Sequence, residues 1–305
     1  MTTGSLIQTI AGFAAIVLVG AAMRGVGLVR REDGRAIKSL IIYLGLPALV
    51  FDSVHGARFS MGVLIAVGIS WLVFLGGLAL ALVAGKLLGL RRRTAGGLAL
   101  CAALGNTGYI GYPLASALLG PASVPIAVLY DVFGTVMQFV LVGFPVARRF
   151  GEGPRLTALG IARELVTFPA FMAALAALAL TPFSVPEAIR DWLDLFARMV
   201  APLIMLSVGM SLQPRGLMSH AKGIVAVGTV RLIVAPLLAV LFASWWLPGT
   251  REAAVVTLEA GMPSMMLALV LGGRYGLDEE FIAAAIFVTT VASALTLPLM
   301  QALIR

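Results

Sequence analysis

The sequence predicts an all-α membrane protein with ten transmembrane helices, arranged as two inverted five-helix repeats in which helices 4 and 9 are broken and cross. Three observations lead to this fold class. Hydrophobic residues make up 60% of the 305 residues and charged residues only 12%, a composition outside the range of soluble domains. The apolar residues form ten runs that short loops separate. Two of these runs are interrupted near their middle by glycine, proline and polar residues.

Each apolar run is long enough to cross a bilayer, which takes about 20 residues. The first run follows no basic segment, because residues 1–23 carry no charge, so it is predicted to be a retained span and not a signal peptide. The ten predicted spans are residues 5–23, 37–54, 61–84, 95–118, 123–147, 161–180, 196–212, 223–246, 252–272 and 281–303.

The basic residues predict the orientation of these spans. Sixteen Lys and Arg residues follow the odd-numbered spans, and five lie on the alternate side. Because basic loops stay in the cytoplasm, both termini are predicted to lie outside, in a plasma (bacterial inner) membrane. The net charge of +8 resides in these short loops, which indicates a lipid bilayer as the partner and no nucleic acid.

A short loop rich in Gly, Pro and Arg, residues 148–157, divides the chain into a first repeat, 1–150, and a second repeat, 151–305. Each half holds five spans. Because five is odd, the halves must have opposite membrane topology, as in inverted-repeat transporters. Prolines also occur at corresponding places in spans 2 and 7 and in spans 5 and 10.

The interruption in span 4 is Gly105-Asn-Thr-Gly-Tyr-Ile-Gly-Tyr-Pro113, whose glycines and proline weaken a helix. Irregular backbone at membrane depth is tolerated only inside protein or along a wet cavity, so this break is a candidate binding site. The alternative is a kinked helix packed through its glycine face. In span 9, Ser264 follows Arg251 by 13 residues, as Asn106 follows Arg93. Both breaks therefore lie ~20 Å along their helices, near the midplane, where they can meet.

Two such breaks present helix ends to the centre of the membrane. The N-terminal ends carry partial positive charge that suits a carboxylate, and the free carbonyls of the other ends suit Na⁺ or a proton carrier. The predicted substrate-binding residues are Asn106, Thr107, Tyr109, Pro113, Met262, Pro263 and Ser264. The predicted ion- or proton-coupling residues are Glu259, Asn106, Thr135 and Gln138, with a Na⁺ site near Asn106 and Glu259.

Two acidic residues each have two interpretations. Glu259 lies in span 9 just before the break, at a depth where a carboxylate usually serves a cation or a proton. Alternatively, it forms a structural pair with Arg231 or a hydroxyl. Asp131 shares a helix face with Thr135 and Gln138, at positions i+4 and i+7. That face either lines a pocket against span 4, or Asp131 caps span 5 at the membrane interface.

Residue types typical of catalytic and metal sites are few. His55 and His220 lack the spacing of a metal site, and Cys101 is the single cysteine. An intramembrane enzyme usually needs His, Cys or paired acids near one interface. The sequence therefore predicts no catalytic residue, no bound metal and no cofactor beyond Na⁺ or H⁺ as the coupling ion.

With these residues, the chain resembles the auxin efflux carrier family, which includes bacterial carriers of small organic acids and the plant PIN proteins. The most specific likeness is the Gly105–Pro113 segment. Three further segments support it: Leu46-Pro-Ala-Leu-Val-Phe51, Gly261-Met-Pro-Ser264 and Tyr275-Gly-Leu-Asp278. The resemblance implies a fold similar to the bile-acid sodium symporters, a scaffold domain and a transport domain each built from both repeats, and a homodimer.

The same resemblance implies roles for several residues. It places Asn106 and Pro113 at the first crossover and Pro263 at the second. Plant members tend to have an Asn near the second crossover, where this chain has Ser264. Glu259 resembles the carboxylate that helps to bind sodium in the bile-acid group.

The sequence thus predicts a secondary active transporter of a small organic anion, such as malonate, malate, lactate or an auxin-like carboxylate. It would work by alternating access at the crossed broken helices. A Na⁺-coupled symporter of a larger amphipathic anion is the alternative. A channel would line a continuous pore with polar rings, whereas the polar residues here gather at one depth. An intramembrane enzyme would need the cluster of His, Cys or paired acidic residues described above, which the sequence does not contain.

Overall fold

The computed structural model describes residues 3–29, 31–55, 57, 60–153, 157–211 and 217–304. These residues form helices, turns and loops, with one isolated β-bridge between Gly105 and Ser264. The α-helices are α1 (Thr3–Gly25), α2 (Arg31–Leu40), α3 (Leu46–His55), α4 (Met61–Leu87), α5 (Arg92–Ala103), α6 (Tyr112–Leu119), α7 (Val124–Tyr130), α8 (Phe144–Phe150), α9 (Ala158–Val166), α10 (Pro169–Leu180), α11 (Glu187–Ser211), α12 (Ala221–Thr229), α13 (Ala235–Trp246), α14 (Arg251–Ala260), α15 (Leu267–Tyr275) and α16 (Glu279–Ile304).

Several of these helices can cross a membrane. By length and composition, six segments within the described ranges qualify, and α9 with α10, which meet at 69°, would make a seventh. The structure therefore confirms an all-helical, multi-pass membrane protein. Predicted span 1 coincides with α1, and predicted spans 4 and 9 coincide with interrupted helices, α5–α6 and α14–α15.

Hydrogen bonds join the ends of helices at the two ends of the bundle. At one end, His55 Nε2 lies 3.1 Å from Leu180 O. At the other, Thr94 Oγ1 donates to Asp278 Oδ2 at 2.6 Å. The latter is called the basic end, because Arg92 and its neighbouring arginines lie there. Further contacts at the basic end join Arg93 to Glu152, Arg274 to Glu164 and His220 to Asp278.

The helices pack as two groups. In the first group, α1, α2 and α3 pack against α11, and α3 also packs against α10. In the second group, α4 packs against α5, α13 and α14, while α12 and α16 pack against each other and against α5. The same group includes α6 and α7, which pack against α14, and α15, which packs against α16. The two groups meet where α3 contacts α7 and where α11 contacts the turn at residues 107–111.

Within the first group, α1 and α11 approach each other backbone to backbone. A Cβ atom added at Gly20 would overlap Leu206 O, and one added at Gly209 would overlap Val17 O. Small residues permit this close approach. In lipid, helices are held together by van der Waals packing and not by hydrophobic transfer, so the close contact stabilises the pair.

The described residues also contain five π-helical turns, Ile41–Gly45, Thr107–Gly111, Asp131–Val136, Phe139–Gly143 and Val230–Val234. A π-turn holds an extra residue, so it shifts the helix face on which later residues lie, and it is frequent at functional sites. Three of these turns carry polar residues near the crossing of the broken helices: Thr107, Asp131 and Arg231.

Candidate substrate-binding site

The interruptions that the sequence predicts in the two helices are present, and they contact each other. Residues 104–106 and 261–266 lie outside regular helix. The backbone N–H of Asn106 donates to Pro263 O at 2.8 Å, and that of Met265 donates to Leu104 O at 3.0 Å. These bonds satisfy buried peptide groups that lipid could not, which explains why these two breaks lie against each other.

Arg231 lies buried against the crossing and caps both of the helices that end there. Its Nε donates to Met262 O at 3.0 Å, its Nη1 donates to Ala103 O at 3.0 Å, and its Nη2 donates to Ala260 O. These carbonyls lie at the C-terminal ends of α5 and α14, where the helix dipole favours a cation. The carbonyls predicted to be free for Na⁺ therefore bind a guanidinium.

A small cavity of about 30 Å³ lies between the two helix groups, beside the crossing, and we call it the closed cavity because a carboxylate substrate does not fit into this volume. This volume holds one or two water molecules. Its lining residues from the first group and the α9–α10 bend are Ile42, Leu46, Phe168 and Ala170. Those from the second group are Asn106, Gly108, Tyr109, Tyr112, Asp131, Val136, Met265 and Leu267.

Two hydrogen-bond donors in this lining have no partner among the described residues. They are Asn106 Nδ2 and the Tyr109 hydroxyl, and both atoms are buried. Buried polar atoms are nearly always paired, by protein, water or ligand. Two unpaired donors that line one cavity therefore indicate a place for an acceptor such as a carboxylate oxygen.

Asp131 is the acidic residue of the cavity lining. It is 5% exposed, and its carboxylate accepts hydrogen bonds from Thr107 Oγ1 and, at 2.5 Å, from the Tyr112 hydroxyl. Both donors belong to the second half of the broken helix, so Asp131 lies against span 4 and not at an interfacial cap. The Thr107 hydroxyl, predicted to contact substrate, instead binds Asp131.

Glu259 lies against the same half-helix, at Gly111. It is fully buried, and neither carboxyl oxygen accepts a hydrogen bond from the described residues. A Cβ atom added at Gly111 would overlap its Oε2, so the carboxyl group lies directly on the Gly111 backbone. The structural pair with Arg231 is absent from the ion pairs and hydrogen bonds of the described residues, since Arg231 binds carbonyls instead.

The predicted residues of the second break lie within the crossing, away from the cavity lining. Met262 O accepts from Arg231, and Pro263 O accepts from Asn106 N. The Ser264 hydroxyl donates to Cys101 O at 2.7 Å. These three residues hold the two helices together. Met265 and Leu267, which follow them, line the cavity in their place.

Thr135 and Gln138 also lie away from the cavity lining. Gln138 Nε2 donates to Ser70 Oγ of α4 at 3.1 Å, and Thr135 is buried within its π-turn. The predicted common face with Asp131 assumed α-helical spacing. The π-turn at Asp131–Val136 changes that spacing, so Asp131 points to the broken helix while Gln138 points to α4.

A second, larger cavity of about 450 Å³ lies at the end opposite the basic end, and we call it the vestibule. Its lining includes the predicted residue Pro113, the end of α3 and the paired side chains of Asp194 and Arg198, whose charged atoms are 2.8 Å apart. Tyr112 lines both the vestibule and the closed cavity, so the two spaces adjoin at this residue. Sequence reasoning missed the vestibule, because its walls come from four separate helices.

Comparison with known proteins identifies the family. A family model described as "Membrane transport protein" matches residues 6–153 and, a second time, residues 154–301. The chain belongs to this family of transporters. The match confirms the resemblance to the auxin efflux carrier family.

Three relatives that align over most of their length are also named as transporters. An uncharacterized transporter of Methanocaldococcus jannaschii is 31% identical over 93% of this chain and 94% of its own length. An uncharacterized transporter of Methanothermobacter thermautotrophicus is 30% identical over 96% of both chains. A Rhizobium meliloti protein named "Putative malonate transporter" is 30% identical over 88% of this chain and 86% of its own.

Proposed function

We propose that this transporter is a secondary active carrier of a small organic anion, such as malonate, malate, lactate or an auxin-like carboxylate. The observation that carries the proposal is the pair of unpaired buried donors, Asn106 Nδ2 and Tyr109 OH, in a cavity between the two helix groups. A carboxylate oxygen is the acceptor that such donors bind most strongly. The name of the Rhizobium relative agrees with this substrate class.

The backbone around these donors adds to the attraction for an anion. The π-turn Thr107–Gly111 starts directly after Asn106 and leads into α6, so its first N–H groups form the positive end of a helix. Asn106 therefore supplies an amide donor at the same point where the helix dipole favours negative charge. The carboxylate of the substrate takes this position, with Tyr109 on its flank.

Alternating access follows from where the cavity lies. Its walls come from both helix groups, so a movement of one group against the other opens it. With a volume of about 30 Å³, the closed cavity is too small to admit a carboxylate substrate. The vestibule beyond Tyr112 is the path by which this cavity opens to one end of the molecule. In this proposal the second group, which holds both broken helices, is the transport domain, and the first group is the scaffold.

The coupling ion that fits this site is a proton. A buried carboxylate without a donor is costly, so Glu259 requires a proton or a cation. The carbonyls that would complete a Na⁺ site at the crossing bind Arg231. We therefore propose Glu259 as the proton carrier, acting on the substrate site through the Gly111 backbone that it contacts.

The membrane arrangement belongs to the same proposal. Ten spans, an inverted second repeat over residues 151–305, external termini, a plasma-membrane location and a homodimer are all compatible with the double family match and with the two clusters of loops. The family match divides the chain at residues 153 and 154, close to the repeat boundary expected from the sequence.

Counterflow in proteoliposomes tests the proposal. Vesicles loaded with unlabelled malonate, lactate or indole acetate should take up the same labelled compound saturably. Asn106→Ala and Tyr109→Phe should each reduce the rate about tenfold, since each removes one hydrogen bond to a charged group. Tyr43→Phe, at a side chain that is 71% exposed, is the matched control and should leave the rate unchanged.

Three results would reject the carrier proposal. Non-saturating ion currents would show a channel. Saturable uptake of a larger amphipathic anion that requires Na⁺ would favour the alternative symporter. Equal effects of Tyr109→Phe and Tyr43→Phe would remove the closed cavity from the transport path.

A further inference from the structure

The crossing concentrates carbonyl groups at one point. Ala103 O ends the first half of one broken helix, and Ala260 O and Met262 O end the first half of the other. Helix C-termini leave carbonyls without intrahelical partners, and each end carries partial negative charge. Two such ends directed at one point, away from water, require a cation to compensate them.

Arg231 meets that requirement with three separate nitrogen atoms. Its Nε, Nη1 and Nη2 each donate to a different one of the three carbonyls. A guanidinium is planar, offers five N–H donors and keeps its charge in proteins. The residue is 4% exposed and forms no ion pair with a carboxylate among the described residues. The groups that bind its charge directly are therefore backbone oxygens.

The surrounding chain is shaped to admit the guanidinium. A Cβ atom at Gly105 would lie only 3.2 Å from Arg231 Cζ and Nη2, so the absence of a side chain at the break leaves the guanidinium its place. On its own helix, Arg231 lies in the π-turn Val230–Val234. Both features favour a built cation site over an accidental contact.

We infer that Arg231 is a built-in cation that occupies the position of a coupling ion at the helix crossing, so that transport requires no Na⁺ at this place. The inference rests on the proposed function, in which the crossing is the transport site. Arg231 is a positioning residue: through the backbone of the two breaks it fixes Asn106, which binds the substrate. Because the cation is covalently attached, the crossing keeps its charge balance throughout the transport cycle.

Chemical rescue distinguishes a built-in cation from a purely structural side chain. Arg231→Ala removes the guanidinium and leaves the three carbonyls able to bind a small cation from solution. Counterflow is measured for the wild type and the variant in choline, Na⁺ and guanidinium buffers of equal ionic strength. The melting temperature of each purified protein is measured in the same three buffers. Arg190→Ala, at an exposed arginine of α11, is the matched control.

The wild type and Arg190→Ala should transport equally in all three buffers. Arg231→Ala should lose about tenfold or more in rate in choline, the cost of leaving buried acceptors unpaired. Low concentrations of guanidinium should restore part of that rate, saturably, and raise the melting temperature of Arg231→Ala only. Arg231→Lys keeps the charge with a different geometry, so it should retain more transport than Arg231→Ala in choline.

Saturable Na⁺ dependence of the wild type would overturn the inference, as would full transport by Arg231→Ala in choline. If Arg231→Ala cannot be purified, the wild-type Na⁺ response and the Arg231→Lys rate decide. If no carboxylate is transported at all, the proposed function fails, but guanidinium still either stabilises Arg231→Ala or does not. The melting measurement thus tests the built-in cation separately.

Discussion

The two sides of the helix crossing differ in how their polar groups are satisfied. On one side, Arg231 donates to three carbonyls, and the Ser264 hydroxyl is paired as well. On the other side, Asn106 Nδ2, Tyr109 OH and both Glu259 oxygens have no partner among the described residues. The satisfied side holds two broken helices in register. The unsatisfied side keeps groups available for substrate and proton, so one crossing combines a fixed support with a binding surface.

The largest effect is expected from adding a methyl group at Gly111, where the backbone contacts the carboxyl group of Glu259. Gly111→Ala places a Cβ atom on the carboxyl group, so it should abolish transport and destabilise the protein by about 1–3 kcal/mol. Gly228→Ala, where an added Cβ meets nothing within 4 Å, is the matched control and should be neutral or stabilising. Counterflow rates and melting temperatures measure both. Recovery of stability in the double variant Gly111→Ala, Glu259→Ala would confirm the contact, and additive losses would contradict it.

The next effect separates coupling from binding. Glu259→Gln keeps the shape of the side chain but cannot exchange a proton, so uptake driven by a pH gradient should fall to the level seen without a gradient. Exchange of labelled for unlabelled substrate should continue, because it needs no net proton movement. Glu187→Gln, at an exposed residue that begins α11, should change neither. An unaltered pH dependence in Glu259→Gln would exclude this residue from coupling.

A smaller effect concerns the separation of the two cavities. Tyr112→Phe removes the hydroxyl that lies 2.5 Å from Asp131 Oδ2 but keeps the ring that lines both the vestibule and the closed cavity. A hydrogen bond to a charged group contributes about 1.5–3 kcal/mol, so the transport rate should change roughly tenfold. A rate equal to that of the wild type would show that Asp131 does not depend on this hydroxyl.

The smallest effect is expected far from the crossing, at the basic end. A hydrogen bond from Arg93, together with its charge, lowers the pKa of Glu152, and the two charged atoms are 2.9 Å apart. A lowered pKa means that the pair stabilises the folded protein above the ordinary pKa of the carboxyl and loses that stabilisation as the pH falls through the lowered value. Glu152→Gln should therefore lower the melting temperature slightly at neutral pH and not in acid.

Transport should be unaffected by Glu152→Gln, since surface ion pairs contribute little. A loss of activity comparable to that of Gly111→Ala would mean that the basic end takes part in the conformational change. That result would weaken the contrast between the crossing and the rest of the molecule.

The sequence predicted the two breaks correctly because their cause is local. Glycine and proline weaken the helix wherever they stand, and two polar interruptions at equal depth in opposite spans can satisfy each other. The meeting of Asn106 with Pro263 follows from that reasoning. The all-helical, multi-pass class follows from the composition and from the apolar runs that short loops separate.

The partners of buried polar groups could not be predicted in the same way. The sequence suggests Arg231 as a partner for Glu259, because charge pairing is visible in a sequence while the direction of a carbonyl is not. The prediction that Gln138 shares a helix face with Asp131 was wrong, because the two side chains contact different helices. The cause is the π-turn Asp131–Val136, a feature that has no reliable sequence signal. The hydroxyls of Thr107 and Ser264 were expected to face substrate, but neighbouring acceptors bind them first.

The backbone contact between α1 and α11 has a consequence for measuring motion. With Gly20 against Leu206 and Gly209 against Val17, these two helices cannot slide past each other without collision. Probes attached to that pair should therefore report a constant separation throughout the cycle, which makes the pair an internal ruler. Separations measured from it to α6, across the closed cavity, would then reveal the amplitude of the rearrangement.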